Sequence, residues 1–252
     1  MHIDALYRYP VKGLSPQKLV SAKLEAGGYF PGDRLFALEN GPSGFEAAAP
    51  VHQPKIKFLM LMRNARLASL ETHYDDATGI LTIARQGKEL VQGNLGSDAG
   101  RLAIESFFEA FCADELRSAV RLIAAPRGFR FTDSKSGFVS LINLASVQAV
   151  GAVTGQTVNP LRFRANIYLE GLEPWAEFAL IGKQLCVGGA RLEVLKRIDR
   201  CAATGVEPGT GKRDMDLVQA LRNSFGHIDC GVYAKVVQGG TLRPADTLTI
   251  AA

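Results

Sequence analysis

Cys201 is the residue whose sequence setting best suits chemistry. It follows a predicted strand and precedes segment 205–211, which contains Gly and Pro. Positive charge from the neighbouring Arg197 and Arg200 would favour the thiolate, the form of cysteine that attacks electrophiles or binds a soft metal. Most cysteines in cytosolic proteins are small buried hydrophobic residues, so the local sequence also leaves a packing role open.

Three cationic residues beside predicted turns could bind a phosphate or a polar heterocycle: Lys12, Arg34 and Arg164. Arginine offers a planar fork of donors, lysine supplies a compact charge, and glycine turns can add backbone amides. Each residue taken alone is more typical of an ion pair on a solvated surface. The three together permit a phosphate site without requiring one.

Common catalytic signatures are missing from the sequence. His2, His52, His73 and His227 form neither an HxH nor an HExxH pattern, so a histidine metal site has no support. There is no Gly-x-Ser-x-Gly elbow, no Walker loop and no Gly-x-Gly-x-x-Gly after a strand. These absences disfavour a hydrolase, an NTPase and a Rossmann dinucleotide site.

Short strands are predicted to hold these residues in the first half of the chain. Segments 3–9 and 19–24 have β-type patterns broken by Pro and Gly, which favours a barrel or a sandwich. Segments 67–74 and 80–84 flank the turn-forming residues 75–79, which predicts a hairpin.

Helices and further strands are predicted in the rest of the chain. Ser97 or Asp98 would cap a helix through 99–113, with Leu102, Phe107 and Phe111 in its buried stripe. Two more helices are predicted over 144–153 and 214–224. The best strand candidates are 163–169, 183–196, 231–237 and 246–250.

Composition narrows the class of protein. The chain has 252 residues, 47% of them hydrophobic and 21% charged, which suits one large domain or two moderate ones. Its net charge of +4 is spread along the chain, so a nucleic-acid partner is not indicated.

Localisation is predicted from the cysteines and the apolar segments. The N-terminus does not look like a secretory signal, and the apolar run 58–62 is far too short to cross a membrane. Cys112, Cys186, Cys201 and Cys230 are widely spaced, which favours a reducing cytoplasm, and Cys112 and Cys186 lie in apolar patterns typical of a core. We therefore expect a cytoplasmic protein without a membrane partner.

Five motifs occur in a specific order along nearly the whole chain: YPVKG at 9–13, GDR at 32–34, FTDSKSGFVSLINLAS at 131–146, RFRANIYLEG at 162–171 and DRCAATGVEPGTG at 199–211. This ordered set resembles the MOSC family with its N-terminal β-barrel domain, which includes the mitochondrial amidoxime-reducing component and its bacterial relatives. Gly13 and Ala165 depart from the better-known relatives, in which Ser and Pro are frequent at these positions.

The resemblance implies a mainly β fold with a few helices (α+β). An N-terminal β-barrel-like domain would span 1–118 and a β-rich MOSC domain 119–252, with the molybdenum cofactor (Mo-molybdopterin) in a cleft between them. Cys201 would be the catalytic residue and the molybdenum ligand. The residues implied to bind the cofactor are Lys12, Gly13, Arg34, Asp133, Ser134, Arg164, Asn166, Arg200 and Cys201. A soft thiolate and charge-assisted phosphate donors are chemically suited to such a group.

Three functions are compatible with this resemblance. The first is an oxidoreductase that reduces a small N-hydroxylated substrate (N–OH to N–H plus water), with electrons from a separate donor protein of the ferredoxin or flavin-reductase type. The second is a non-redox carrier of the cofactor, or of sulfur as a persulfide on Cys201. The third is a MOSC scaffold that has lost cofactor binding, which the changes at Gly13 and Ala165 keep open.

Overall fold

The computed structural model describes residues 1–134 and 138–251, and within these ranges the fold is mainly β with three α-helices (α+β). The strands are β1 His2–Arg8, β2 Gln17–Leu19, β3 Ala22–Leu24, β4 Phe36–Asn40, β5 Glu71–Asp75, β6 Ile80–Arg85, β7 Lys88–Asn94, β8 Val120–Ala124, β9 Val139–Asn143, β10 Ile167–Glu170, β11 Gln184–Val187, β12 Ala190–Asp199, β13 Asp229–Gln238, β14 Gly240–Leu242 and β15 Thr249–Ile250. The helices are α1 Asp98–Phe111, α2 Leu144–Thr154 and α3 Leu217–Phe225.

The largest sheet has eight strands in the order β15-β11-β12-β13-β9-β10-β1-β2. Strands β9 and β10 are parallel neighbours, and β1 joins β10 antiparallel. Apolar side chains of these strands, including Leu6, Leu141 and Val194, form a buried core on one face because successive strand residues point to opposite faces. The sheet thereby brings the start of the chain beside residues more than 150 positions away.

A smaller β-rich unit occupies much of the first half of the chain. Strands β5, β6 and β7 form an antiparallel sheet, β4 pairs with β8, and α1 packs against β7. The helix can approach so closely because Gly93 and Gly100 meet there, where an added Cβ on Gly93 would lie 2.3 Å from the Gly100 oxygen. Ile104 and Phe108 of α1 are fully buried in a second core.

Several sequence predictions are confirmed. Strands β5 and β6 form the hairpin around residues 75–79, and α1 is capped by Ser97, whose side chain accepts a hydrogen bond from the Gly100 N–H. Helix α2 and strand β13 also lie where the sequence placed them. Helix α3 begins at Leu217 rather than at residue 214, because the Asp216 side chain caps its first turn.

Other predictions of local structure are wrong in part. Segment 19–24 contributes to two strands with different partners, separated by the exposed Val20. Segment 183–196 forms a hairpin that turns at Gly188 and Gly189, both with positive φ. Leu102 is 62% exposed, so the buried stripe of α1 is centred on Ile104 and Phe108 instead.

Three other strand predictions are too long, whereas segment 3–9 is confirmed as β1. Segment 67–74 is strand only from Glu71, because Ala65–Ser69 is a short 3-10 helix. Segment 163–169 is strand only from Ile167, because the 3-10 turn Pro160–Phe163 comes first and Arg164 is left-handed. At the end of the chain only Thr249–Ile250 of 246–250 is strand.

Two strand pairs cross the predicted domain boundary between residues 118 and 119. Strand β8 pairs back with β4, and β1 pairs forward with β10. The division into 1–118 and 119–252 stays a prediction. Within residues 1–134 and 138–251, no helix is both long enough and apolar enough to cross a membrane.

Candidate functional site

A cavity of about 250 Å³ lies where N-terminal segments meet the large sheet. Its lining comes from residues 12–62 on one side and from residues 131–233 on the other. The structure brings together all nine residues that the resemblance marked as cofactor-binding: Lys12, Gly13, Arg34, Asp133, Ser134, Arg164, Asn166, Arg200 and Cys201. Their roles toward a ligand stay predictions.

Arg34 and Arg164 form a cationic pair around the buried ring of Tyr9. Their guanidinium carbons lie 4.4 and 4.3 Å from the ring centroid, within the range of a cation–π contact. Arg34 donates to the Asp33 carboxylate and to the backbone oxygen of Arg164 (3.1 Å), and Arg164 donates to the Leu14 oxygen (2.7 Å). Both arginines have positive φ, of 47° and 54°, which is uncommon for residues other than glycine.

The two guanidinium groups differ in charge balance. Burial lowers the pKa of Arg164 to about 10, and repulsion from Arg34 adds to this shift. Burial also acts on Arg34, but the charge and hydrogen bond of Asp33 outweigh it and raise the pKa of Arg34. No carboxylate of the described residues lies within 4.0 Å of Arg164, so this guanidinium is the one that an anionic ligand would stabilise most.

Lys12 and Asp133 form an ion pair at the edge of the cavity. The Lys12 ammonium donates to the Asp133 carboxylate and to the Phe131 oxygen (3.0 Å), and Lys55 lies 3.8 Å from Asp133. Burial lowers the pKa of Lys12, although Asp133 partly opposes this shift. Partial burial would raise the pKa of Asp133, but the charge and hydrogen bond of Lys12 lower it overall.

Gly13 has a structural reason to be glycine. Its φ is +83°, and an added Cβ would lie 2.8 Å from the backbone oxygen of Leu59. A Ser at this position would therefore strain the backbone and clash with the adjoining segment. Ala165, the second departure from the relatives, is fully buried, and it follows Arg164, whose left-handed backbone is unfavourable before Pro.

Asn166 and Arg200 line the cavity with polar atoms that already have protein partners. Asn166 accepts at Oδ1 from the N–H and hydroxyl of Ser140 (3.1 and 2.9 Å) and donates to the Tyr7 oxygen (3.2 Å). Arg200 is buried and donates from Nε to Cys230 O and from Nη1 to Phe163 O, each at 2.8 Å. Both side chains therefore link segments that form the walls of the cavity.

Cys201 is partly exposed at the start of the short 3-10 helix Ala202–Gly205. Its backbone oxygen accepts hydrogen bonds from the N–H and the hydroxyl of Thr204, both 3.0 Å. The loop thereby fixes the backbone from which the thiol projects, and that thiol lines the cavity.

Arg197 does not line the cavity beside Cys201, although the two are close in sequence. It is exposed, lies 3.8 Å from Asp229 and stacks on Phe178 at 4.3 Å, outside the set of residues that line the cavity. Arg197 therefore contacts other groups, and its expected effect on the thiol stays a prediction. The pairing register of β12 with β13 shifts on both sides of Arg197. Such irregularities change the direction of side chains along a strand, so closeness to Cys201 in sequence does not mean that the Arg197 side chain points to the thiol.

Two of the other three cysteines, Cys112 and Cys230, are buried, whereas Cys186 is not. Burial raises the pKa of Cys112 to about 11 and that of Cys230 to about 12, so both stay thiols at neutral pH. Cys186 was predicted to be core, yet it is partly exposed. In β11 the alternating neighbours Leu185 and Val187 point inward instead.

Comparison with known families covers most of the chain. The MOSC domain model matches residues 129–249, and the model of the MOSC N-terminal beta barrel domain matches residues 1–112. The chain belongs to the MOSC family. The N-terminal match includes residues 12–62, which line one side of the cavity, and the MOSC match includes residues 131–233, which line the other.

Curated relatives of this MOSC chain include molybdenum cofactor sulfurases from Caenorhabditis elegans and Caenorhabditis briggsae. They are 37% and 36% identical over 98 residues, which is 36% of this chain and 14% of each relative. The chain therefore spans about a seventh of the length of these relatives.

Solved structures similar to the MOSC chain have low sequence identity. The YuaD protein from Bacillus subtilis is 12% identical with a TM-score of 0.47, covering 98% of this chain and 93% of that one. YiiM from Geobacillus stearothermophilus is 18% identical with a TM-score of 0.40, covering 52% of this chain and 67% of that one.

The MOSC cavity also contains functional candidates that sequence reasoning missed. Arg162 is buried and donates to Glu207, Asp214 and the Thr204 oxygen, while its Nε has no hydrogen-bond partner among the described residues. Tyr233 lines the cavity from β13, and burial raises its pKa, so its hydroxyl keeps its proton at neutral pH. The motif RFRAN contained Arg162, but its long-range partners could not be read from the motif.

The residues of the MOSC cavity fit a phosphate-bearing group that a thiolate also contacts. Among the described residues, Arg164 has no carboxylate partner and the buried Nε of Arg162 has no hydrogen-bond partner, and Cys201 is partly exposed. A second cavity of about 340 Å³ shares Leu61, Arg162 and Arg164 with the first. Ligand pockets in proteins typically measure roughly 300–1,000 Å³, so the first cavity lies just below this range and the second lies within it.

Proposed function

We propose that this MOSC chain binds the molybdenum cofactor in the cavity and reduces small N-hydroxylated molecules. The observation that carries the proposal is the convergence of the Cys201 thiol with the Arg164 guanidinium, which has no carboxylate partner among the described residues. A soft thiolate suits a metal, and a fork of cationic donors suits a phosphate. The curated relatives are molybdenum cofactor sulfurases, which supports the link to this cofactor.

Each residue of the cavity would have a distinct task. Cys201 would be the metal ligand, while Lys12, Arg34 and Arg164 would hold the phosphate and pterin through charge-assisted donors. When bound, the cofactor supplies two-electron redox chemistry, whereas the protein orients it and limits access of water. Reduction of N–OH to N–H plus water also consumes two protons, and the Tyr233 hydroxyl oxygen carries a proton at the cavity wall.

The proposal includes partners that bind from outside the cavity. Electrons would come from a separate donor protein of the ferredoxin or flavin-reductase type, and the substrate would be a small N-hydroxylated molecule. We place this activity in the cytoplasm, which is consistent with four free cysteines.

The decisive experiment uses protein produced in a host that makes the cofactor. We expect bound molybdenum and pterin fluorescence in the parent and in the control variant Cys186→Ser, whose cysteine lies outside the cavity. We expect Cys201→Ser to reduce N-hydroxylated substrate no faster than a protein-free control when a chemical or protein reductant is supplied.

Two results would contradict this proposal. One is a parent protein that contains no molybdenum, which would point to a scaffold without the cofactor. The other is a Cys201→Ser variant as active as the parent. Peptide mass spectrometry on the same samples also tests the carrier alternative, because a persulfide would add the mass of one sulfur atom to Cys201.

A further inference from the structure

The loop of residues 202–213, which we call the Cys201 loop, lies directly on the N-terminal half of the molecule. The Gly209 N–H donates to the Ala68 oxygen (2.7 Å), and a Cβ added to Gly211 would lie 2.8 Å from the Ala65 oxygen. A backbone bridge between Val206 and Arg213 closes the loop on itself. The loop is therefore a compact piece of structure that rests on the neighbouring 3-10 helix.

Arg213 at the end of this loop joins three backbone carbonyls from two distant segments. Its Nη2 donates to the oxygens of Leu61 (2.9 Å) and Met62 (2.8 Å), and its Nη1 donates to the oxygen of Ala202 (3.3 Å), the residue that follows Cys201. Leu61, Met62 and Cys201 all line the cavity. One guanidinium thereby connects the two opposing walls next to the thiol.

Among the described residues, the Arg213 guanidinium donates its hydrogen bonds to backbone carbonyls and forms no ion pair. Within the part of the chain that the structure describes, no carboxylate lies within 4.0 Å of its guanidinium, and the residue is exposed. A planar fork with several N–H groups can reach three oxygens in fixed directions, whereas a lysine ammonium acts as a single point of charge. The arrangement therefore depends on arginine in particular.

We infer that Arg213 is a positioning residue that fixes the Cys201 loop against segment 60–62 and so sets where the thiol lies in the cavity. The inference rests on the contacts of the loop and is independent of the proposed function. Without this guanidinium, the Leu61 and Met62 oxygens lose their link to the loop. The contacts of Gly209 and Gly211 would remain as a hinge about which the Cys201 end can move away.

The test measures how fast each cysteine reacts with iodoacetamide in protein that carries no cofactor. Peptide mass spectrometry follows Cys201 in the parent, Arg213→Ala and Arg213→Lys, with Lys212→Ala as the matched control. Lys212 is the exposed neighbour of Arg213 in the same loop. We expect Cys201 to react roughly tenfold faster in Arg213→Ala, the change expected if local opening becomes easier by about one hydrogen bond.

The variant Arg213→Lys separates charge from geometry. We expect it to react nearly as fast as Arg213→Ala, because an ammonium cannot replace the fork, while Lys212→Ala should match the parent. The buried Cys112 and Cys230 report on the rest of the fold and should stay unreactive in all four proteins.

Two outcomes overturn the inference. Unchanged or slower reaction of Cys201 in both Arg213 variants would show that the fork does not position the thiol. Parallel acceleration at Cys112 and Cys230 would show that Arg213 supports the whole fold and not this loop in particular. Neither outcome bears on molybdenum binding, so a failure here is distinguishable from a failure of the proposed function.

Discussion

Arg164 and Arg200 line the same cavity, yet their guanidinium groups have different surroundings. Arg200 is buried and donates to the backbone oxygens of Phe163 and Cys230. Arg164 is partly exposed and stacks on Tyr9, and within the described residues its side chain donates one hydrogen bond, to the Leu14 oxygen. The first satisfies the donors of its fork within the protein, whereas the second keeps donors available to a ligand.

The difference shows how arginine can serve the fold and the ligand within one cavity. A buried carbonyl without a partner is unfavourable, so an arginine that supplies several such bonds becomes part of the structure. An arginine beside a second cation and without a carboxylate is stabilised when an anion arrives. We therefore expect substitutions of Arg200 to affect mainly stability and substitutions of Arg164 to affect mainly binding.

The largest expected effect is on the stability of Arg200→Ala. Removal of the guanidinium leaves two buried backbone oxygens without these donors, and we expect a loss of about 3 kcal/mol in the free energy of unfolding, measured by urea denaturation. Arg197→Ala is the matched control, because Arg197 is exposed and its ion pair with Asp229 is long, at 3.8 Å. That control should lose no more than about 1 kcal/mol. Equal losses in the two variants would contradict the contrast.

Arg164→Ala should show the opposite pattern. We expect its free energy of unfolding to change by about 1 kcal/mol or less, because relief of the repulsion from Arg34 offsets part of the lost Leu14 hydrogen bond and Tyr9 stack. Retention of the cofactor through dialysis, measured as bound molybdenum, should fall by roughly 10- to 100-fold, because a charge-assisted phosphate contact is removed. Arg164→Lys keeps the charge and should fall less. Full retention in Arg164→Ala would exclude Arg164 as an anchor.

Much of the local structure could be predicted because it depends on neighbouring residues. The hairpin around 75–79 and the Ser97 cap of α1 involve turn and cap residues a few positions apart. The cavity could be predicted only from the order of the motifs. No spacing rule relates Lys12 to Cys201. Only the resemblance to the MOSC family indicated that these distant residues meet.

The missed features depend on strand register and on long-range contacts. Arg197 lies near Cys201 in sequence but points elsewhere, because the pairing of β12 with β13 shifts its register there. Arg213 was overlooked because its partners, Leu61 and Met62, lie about 150 positions earlier in the chain. Neither fact has a local signal, since the first depends on strand pairing and the second on contact between two distant loops.

The smallest expected effect, a pH dependence, sharpens the same contrast. Burial and repulsion from Arg34 lower the pKa of Arg164 to about 10, so of the two arginines it is the one that loses charge more readily as the pH rises. Arg34 stays charged because Asp33 raises its pKa. Binding of inorganic pyrophosphate, measured by calorimetry in cofactor-free protein, should therefore be strongest below about pH 9 and weaken severalfold towards pH 11.

Arg164→Ala separates this titration from that of Lys12, whose pKa is also lowered by burial. The variant keeps Lys12, so any remaining pH dependence belongs to the ammonium and the ligand. The difference between the parent and the variant should be large below pH 9 and should shrink above pH 10, as the parent loses the charge that the variant lacks. A difference that stays constant from pH 8 to pH 11 would show that the Arg164 charge does not contribute to anion binding.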